Sequence, residues 1–281
     1  MNPLVSIITP CYNGKGKVNI FLDSVLKQTY DNIEFIIIND GSTDNTEEII
    51  LSYKSKFIDK GYKFIYLKQK NAGQDVALNN GLKYFTGKYL MWPDSDDILD
   101  SQNIEEKVKY LEQNRNCGLV YCNTNIVKYE KINPEKKIII TGQGQNWQML
   151  LPMAYNYDVG KVDKYLFRYI IYKDSHSNKK RSYEEYVKRL IDIETGLIRM
   201  LKECNIEETL FYKYKKMLET QYINEKLRLS LLYRKNKEAK ELYHICKERN
   251  IKLYRKNKLK YYLNLLGLYT ILKKIKDKIE Q

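Results

Sequence analysis

The sequence predicts an α/β fold over residues 1–178, a mostly parallel sheet flanked by helices, with a helical, basic appendage over 179–281. Two observations carry the front part. Short β-branched apolar runs alternate with segments of helical apolar spacing, and the connections between them are short. That order builds a parallel sheet covered on both faces. A third observation divides the chain. From about Lys179 onward the strand-like runs and nearly all glycines vanish, and Lys and Arg outnumber Asp and Glu by 27 to 14, against 22 to 21 before it.

Val5-Ser6-Ile7-Ile8-Thr9, closed by Pro10, reads as a first buried strand. Phe21, Val25 and Leu26 give the stretch from Val18 to Gln28 a helical apolar spacing. Phe35-Ile36-Ile37-Ile38 is continuous and β-branched, as a strand covered on both faces should be. Thr43 to Thr46 opens a second helix with Asp44 or Thr43 as N-cap and with Ile49, Ile50 and Tyr53 facing inward. Lys63 to Leu67 is a third strand, Asp75 to Tyr84 a third helix and Tyr89 to Trp92 a fourth strand. In the rear, helical spacing runs over Tyr183 to Leu201, Thr209 to Leu232 and Lys237 to Lys247.

Composition narrows the class. A hydrophobic content of 43% supports a sizeable core and argues against disorder. Cys11, Cys117, Cys122, Cys204 and Cys246 are odd in number and lack metal-ligand spacing, which suits reduced packing thiols in a cytoplasm. No apolar run reaches spanning length and no targeting signal precedes the first strand, so the expectation is a cytoplasmic protein without a transmembrane helix.

In open parallel sheets, ligands bind beyond the carboxyl ends of the strands. Three polar, turn-forming clusters fall there: Pro10 to Asn13, Asn39 to Ser42, and Pro93 to Asp97. In Asp94-Ser95-Asp96-Asp97, carboxylates one residue apart on a turn can both face one hard cation, and Mg²⁺ and Mn²⁺ prefer oxygen ligands. Such an ion can bridge phosphate oxygens and stabilise a leaving diphosphate. The plainer alternative is an acidic turn in which Asp97 or Asp100 caps the next helix. Asp40 can accept from a base N–H, with Gly41 allowing close approach, or the segment is a simple strand-to-helix turn. Tyr12 could stack on a flat base, although one tyrosine among 26 says little alone. No Gly-x-Gly-x-x-Gly follows the first strand, which disfavours a dinucleotide-binding dehydrogenase.

Together these segments carry a resemblance. Val5 to Gly14, Gln28-Thr29-Tyr30, Asp40 to Asp44, Asn71-Ala72-Gly73, Asn79-Asn80-Gly81 and the Asp94–Asp97 cluster, in this order and spacing over roughly the first 115 residues, resemble family 2 glycosyltransferases of the GT-A fold. The resemblance implies an inverting, metal-dependent enzyme of bacterial surface-polysaccharide synthesis. It would move a sugar from a nucleotide diphosphate, UDP first among them, to a glycan or lipid-linked acceptor. By the same resemblance, Pro10, Tyr12 and Asp40 hold the base, Asn71 lines the donor pocket, Asp94 meets the ribose and Asp96 binds Mg²⁺ or Mn²⁺. His176 resembles the histidine that completes the metal's coordination; a surface histidine is the other reading.

Three departures stand out. Where the family has an acidic pair supplying the general base, this chain has Gln145 and Asn146, and a neutral amide takes no proton from an acceptor hydroxyl. Asn146 would then orient the acceptor, with Asp158 as a candidate base, or the chain is a catalytically weak or inactive nucleotide-sugar-binding scaffold. Only 46 residues separate Asp97 from Gly144, a short acceptor-side segment. Leu78 stands where many relatives have Arg.

The rear carries Lys252, Arg255, Lys256, Lys258 and Lys260, an apolar and aromatic run from Tyr261 to Tyr269, then Lys273, Lys274, Lys276 and Lys278. This pattern over 252–278 fits a helix lying on the anionic inner leaflet of a membrane. Self-packing with solvated lysines is the alternative. No recognisable nucleic-acid module accompanies the charge, so nucleic acid is not expected as a partner.

Overall fold

Residues Val5–Cys11 form β1 and Ile33–Asp40 form β2, and every residue of β2 is buried, as a strand covered on both faces requires. β3 (Lys63–Gln69) and β4 (Tyr89–Met91) complete a four-stranded sheet in the order β3-β2-β1-β4. All its pairings are parallel. These elements belong to a computed structural model that describes residues 2–128, 154–171, 181–204 and 206–265. The chain divides into two compact units, Met1–Asn178 and Lys179–Gln281.

Helices α1 (Val18–Leu26), α2 (Thr46–Ser52), α3 (Lys54–Asp59) and α4 (Gln74–Gly81) connect the strands. The single helix expected after Thr43 is broken at Tyr53 into α2 and α3. Asn45 occupies the N-cap, while Asp44 Oδ1 accepts from the Thr46 N–H at 3.0 Å. One face of the sheet buries Phe21, Val25, Phe35, Ile37, Ile50 and Phe57 together, with Phe35 stacked on Phe57 at 4.9 Å. Each fully buried side chain of this size is worth roughly 1.5 to 3 kcal/mol of transfer free energy. The other face buries Ile8, Ile36 and Ile38 under Ala77 of α4, with Leu78 packed against them. A Cβ on Gly81 would lie 2.4 Å from Ile8 Cγ2, so only glycine lets α4 approach the sheet this closely.

The order of the strands places a switch at β1. The chain moves outward from β1 to β2 to β3, then crosses to β4 on the other side of β1. The carboxyl ends of β1 and β4 therefore border a topological switch point, where open α/β sheets leave a crevice.

A second sheet follows: β5 (Ile98–Leu99), β6 (Cys117–Lys128) and β7 (Asp158–Ile171), in the order β5-β7-β6. β5 pairs antiparallel with β7 through Ile98 opposite Arg168, and β6 runs parallel to β7. Helix α5 (Asn103–Gln113) packs Ile104 and Val108 into the first core. The Gln28 side chain joins this region to α1, donating to Asp100 O at 2.7 Å and accepting from the Ile104 N–H at 3.2 Å. Asp100 Oδ1 accepts from Gln102 N at 3.1 Å, and neither it nor Asp97 caps α5.

The rear unit is helical: α6 (Tyr183–Glu203), α7 (Glu208–Leu232), α8 (Asn236–Glu248) and α9 (Arg255–Leu265). Ser182 and Glu185 form a capping box that starts α6. Asn224 is fully buried, donates to Lys252 O at 3.0 Å and accepts from Tyr254 N at 2.8 Å, pinning the α8–α9 connection to α7. Among the described residues no helix is long and apolar enough to cross a membrane.

The amino ends of the first sheet meet on one carboxylate. Glu34 of β2 has no exposed side-chain surface and pairs with Lys63 of β3. It accepts from Ser6 Oγ of β1 at 2.7 Å and from the Thr86 N–H ahead of β4 at 2.8 Å. Burial pushes its carboxyl up, but Lys63, Ser6 and Thr86 outweigh that and hold it below its ordinary value. A carboxyl depressed in the folded state contributes stability above its unfolded pKa, which is lost as pH falls through the folded value. Glu34→Gln should therefore cost about 1 to 3 kcal/mol at neutral pH. Between about pH 5 and pH 3 its stability should fall less steeply than that of wild type, as read by urea unfolding at each pH. Parallel pH profiles would contradict this role.

Candidate active site

Four turns leave the carboxyl ends of β1 to β4, and named contacts join each to the next. After β1, the Asn13 N–H donates to Ser42 Oγ at 3.0 Å and Asn13 Oδ1 accepts from Thr43 N at 2.8 Å. After β2, Asp40 Oδ1 accepts from Ala72 N and Oδ2 from Gly73 N, both at 2.9 Å. After β3, Gln74 Nε2 donates to Asp94 Oδ1 at 2.6 Å. After β4, Ser95 comes beside the Cys11 thiol and acts to lower its pKa against burial, which returns the circuit to β1. The four turns thus form a closed ring. Gly41 belongs to it through its backbone: φ is +69°, and a Cβ there would lie 2.5 Å from Asn71 N.

Within this ring Tyr12 is 51% exposed, and Pro10 is half-buried in register with Ile38. Asn71 is exposed and its side-chain amide donates to Asp40 O at 3.0 Å. Asp40 stands at the expected place but is only 3% exposed. Its carboxylate, which the sequence reading offers to a base N–H, is here taken up by Ala72, Gly73 and the Gln69 amide. Leu78 packs into the core beneath α4.

Asp94, Asp96 and Asp97 each offer a carboxylate oxygen, and these lie within 4.8 Å of one another. Asp97 is 3% exposed, and among the described residues its Oδ1 has no hydrogen-bond partner. Burial, then the charges of Asp94 and Asp96, push its carboxyl up to about 9 against a hydrogen bond from the Ile170 N–H. Burial and the Asp96 charge also raise Asp94, which the Gln74 amide opposes. Solvent screens that effect at Asp94, which is exposed, and leaves it strong at Asp97. Three crowded carboxylates with a buried, partnerless oxygen fit a hard divalent cation, which would supply the missing positive charge.

Asp97 and Gln74 escaped the sequence reading as site residues. Asp97 adjoins Asp96, so counting every carboxylate on the turn would have reached it. The signal for Gln74 was its place as the first helical residue after Asn71-Ala72-Gly73. Asn146 and His176 lie outside the described residues. Asp158, the candidate base, opens β7, whereas Ile170 at its other end meets Asp97. Twelve residues at about 3.3 Å each put Asp158 tens of ångströms from the carboxylates. Asp158 therefore lies at the end of β7 away from the one that meets Asp97.

Comparison with known proteins fits this geometry. The family described as glycosyl transferase family 2 matches residues 6–188. The chain belongs to that family. An uncharacterized glycosyltransferase of Rickettsia prowazekii is 43% identical over 127 residues, covering 45% of this chain and 38% of that protein. Glycosyltransferase GlyA of Streptococcus pneumoniae is 30% identical over 192 residues, covering 58% of this chain and 27% of that protein. The matched stretches thus span well under half of these relatives' own lengths. Among solved structures, S. aureus TarS 1–349 in complex with UDP superimposes with a TM-score of 0.61 at 14% identity, covering 94% of this chain and 92% of that one. Mannosyltransferase PcManGT from Pyrobaculum calidifontis, in complex with GDP-Man and Mn²⁺, gives 0.56 at 14% identity, covering 99% and 88%. The fold is GT-A, a parallel sheet flanked by helices.

Mn²⁺ or Mg²⁺ should raise the thermal transition of the whole chain by mass action. Asp96→Ala should abolish that rise. Asp97→Asn should abolish it too while leaving the cation-free transition unchanged or higher, because it removes a buried acid. A rise that survives both substitutions would remove the cation from this cluster.

Proposed function

We propose that this chain is an inverting glycosyltransferase that moves a sugar from a nucleotide diphosphate, preferentially UDP, to a glycan or lipid-linked acceptor in bacterial surface-polysaccharide synthesis, acting in the cytoplasm. The observation that carries the reading is the ring of turns, which sets an exposed aromatic beside three converging carboxylates. The TarS neighbours bound to UDP and UDP-GlcNAc support a uridine donor, and PcManGT with Mn²⁺ supports a divalent cation.

In this reading the Tyr12 ring stacks on the base, while Pro10 and Asn71 line the donor's path. Asp40 acts through the 71–73 turn, whose N–H groups it holds in place, and reaches the base only if that turn yields. Asp94 receives the ribose with its carboxylate steered by Gln74. Asp96 and Asp97, with Asp94 beside them and His176 as a further ligand, would hold Mg²⁺ or Mn²⁺. That ion would supply positive charge against the departing diphosphate. The acceptor hydroxyl attacks the anomeric carbon from the side opposite the diphosphate, so the carbon–oxygen bond to phosphate breaks and the configuration inverts. The acceptor proton passes to a base other than Asn146, whose amide orients the hydroxyl.

Tyr12→Ala should weaken UDP binding about tenfold, in line with roughly 1 to 3 kcal/mol for a base stacked on an aromatic ring. Titration calorimetry with Mn²⁺ present measures this, and unchanged affinity would exclude Tyr12 from the base site.

Gln145 and Asn146 favour a second reading, a nucleotide-sugar-binding scaffold with little or no turnover. Wild type and Asn146→Asp should be compared for release of UDP from UDP-sugars with Mn²⁺ and candidate acceptors. Turnover by wild type upholds the enzyme. UDP binding without turnover, with activity appearing only in Asn146→Asp, would establish the scaffold.

A further inference from the structure

Helix α9 mixes polar and apolar residues around its circumference: its inward side is partly polar and its outward side partly apolar. Inward, Asn257 is 4% and Tyr261 5% exposed. The Asn257 amide donates to Asn224 O at 2.8 Å, and the Tyr261 ring stacks on Tyr243 at 4.2 Å. Outward, Leu259 is 61% exposed, and Tyr262 is 43% exposed with its hydroxyl hydrogen-bonded to that of Tyr243 at 2.7 Å. Arg255, Lys256 and Lys258 are exposed as well. At 3.6 residues per turn, Arg255, Lys258, Leu259 and Tyr262 share one face, with Lys256 at its edge. Tyr254, 46% exposed, and exposed Lys252 precede this face in the chain.

A solvated helix face normally carries charges of both signs and few large apolar groups. Here residues 249–265 contain six basic residues and no acidic one. Leu259 and Tyr262 sit between Lys258 and Lys256 around the helix, the arrangement in which an apolar strip enters a headgroup layer while flanking cations meet lipid phosphates. Charge selects the occupant. A protein groove would cover Leu259 and Tyr262 but leave the surrounding cations to be matched one by one, whereas an anionic bilayer satisfies both.

We propose that the outward face of α9, centred on Leu259 and Tyr262 and flanked by Arg255, Lys256 and Lys258, docks on an anionic lipid surface. This inference is independent of catalysis, since it requires neither donor nor cation. If the proposed function also holds, docking brings the enzyme to the surface where a lipid-linked acceptor resides.

The test uses the full chain sedimented with vesicles of phosphatidylglycerol in phosphatidylcholine, against phosphatidylcholine alone, at about 0.15 M salt. Binding to the anionic vesicles and not to the neutral ones is expected. The double variant Lys256→Glu/Lys258→Glu should weaken it at least roughly tenfold, since each cation near such a surface contributes on the order of a fivefold change. Leu259→Gln should weaken it several-fold with its thermal transition unchanged, because that side chain lies outside the core. Absence of binding to anionic vesicles would overturn the proposal, as would binding indifferent to Leu259→Gln, which would mean charge attraction without insertion. Tighter binding to a nucleic acid duplex, lost in the same variants, would also overturn it. UDP binding in the variants separates the two proposals, since it should match wild type.

Discussion

The buried carboxylate of Glu34 holds the sheet in the form its chemistry needs. It reaches β1 through Ser6, β3 through Lys63 and the entry to β4 through Thr86. The Gly87 N–H adds a bond to Ser6 Oγ at 2.9 Å. β4 is only three residues long and, among the described residues, pairs with β1 alone, so its own ladder fixes it weakly. Anchoring the residues before it at the Glu34 knot sets where it begins, and therefore where the acidic turn beyond it emerges. A carboxylate without exposed surface is costly unless every oxygen is satisfied, and here β1, β3 and the segment before β4 satisfy it together.

The two ends of the same strands thus carry opposite electrostatic designs. At the amino end one acid is fully partnered. At the carboxyl end three acids crowd together, and Asp97 keeps a buried oxygen without a partner among the described residues. The first arrangement suits permanence and the second suits a ligand that arrives and leaves. Cys11 belongs to this carboxyl end, where β1 closes, and burial pushes its thiol up to about 11, against reaction as a nucleophile. Its part is to carry Ser95.

Much of this was legible from residue order. β1 and β2 announced themselves because strands buried on both faces need continuous apolar runs, whereas the switch at β1 did not, since a β-α repeat does not specify on which side of β1 the fourth strand joins. The rear helices fell within a few residues of expectation, since caps and apolar spacing act locally. The second sheet was not visible. β6 and β7 interleave Lys161, Asp163, Lys164 and Arg168 with apolar positions, and Cys117 finds its partner Asp158 only across a long intervening segment. At the site, turn composition marked Asp94 and Asp96 but could not show that Asp97 is the buried member. Nor could it show that Asp40 faces the next turn. Both depend on burial, which adjacent residues in a sequence do not reveal.

The ring of turns has a consequence that depends on its connectivity. In a closed circuit any two members are joined by two routes, so severing one contact leaves every turn attached the long way round. The links are unequal: Asn13 bonds both Ser42 and Thr43, whereas the Gln74 amide to Asp94 is the named bond between the β3 and β4 turns, so losing Gln74 should loosen the circuit more than losing the Ser42 hydroxyl. Such a loop set can vary one residue at a time while keeping its shape, and that tolerance leaves room for the site to be retuned.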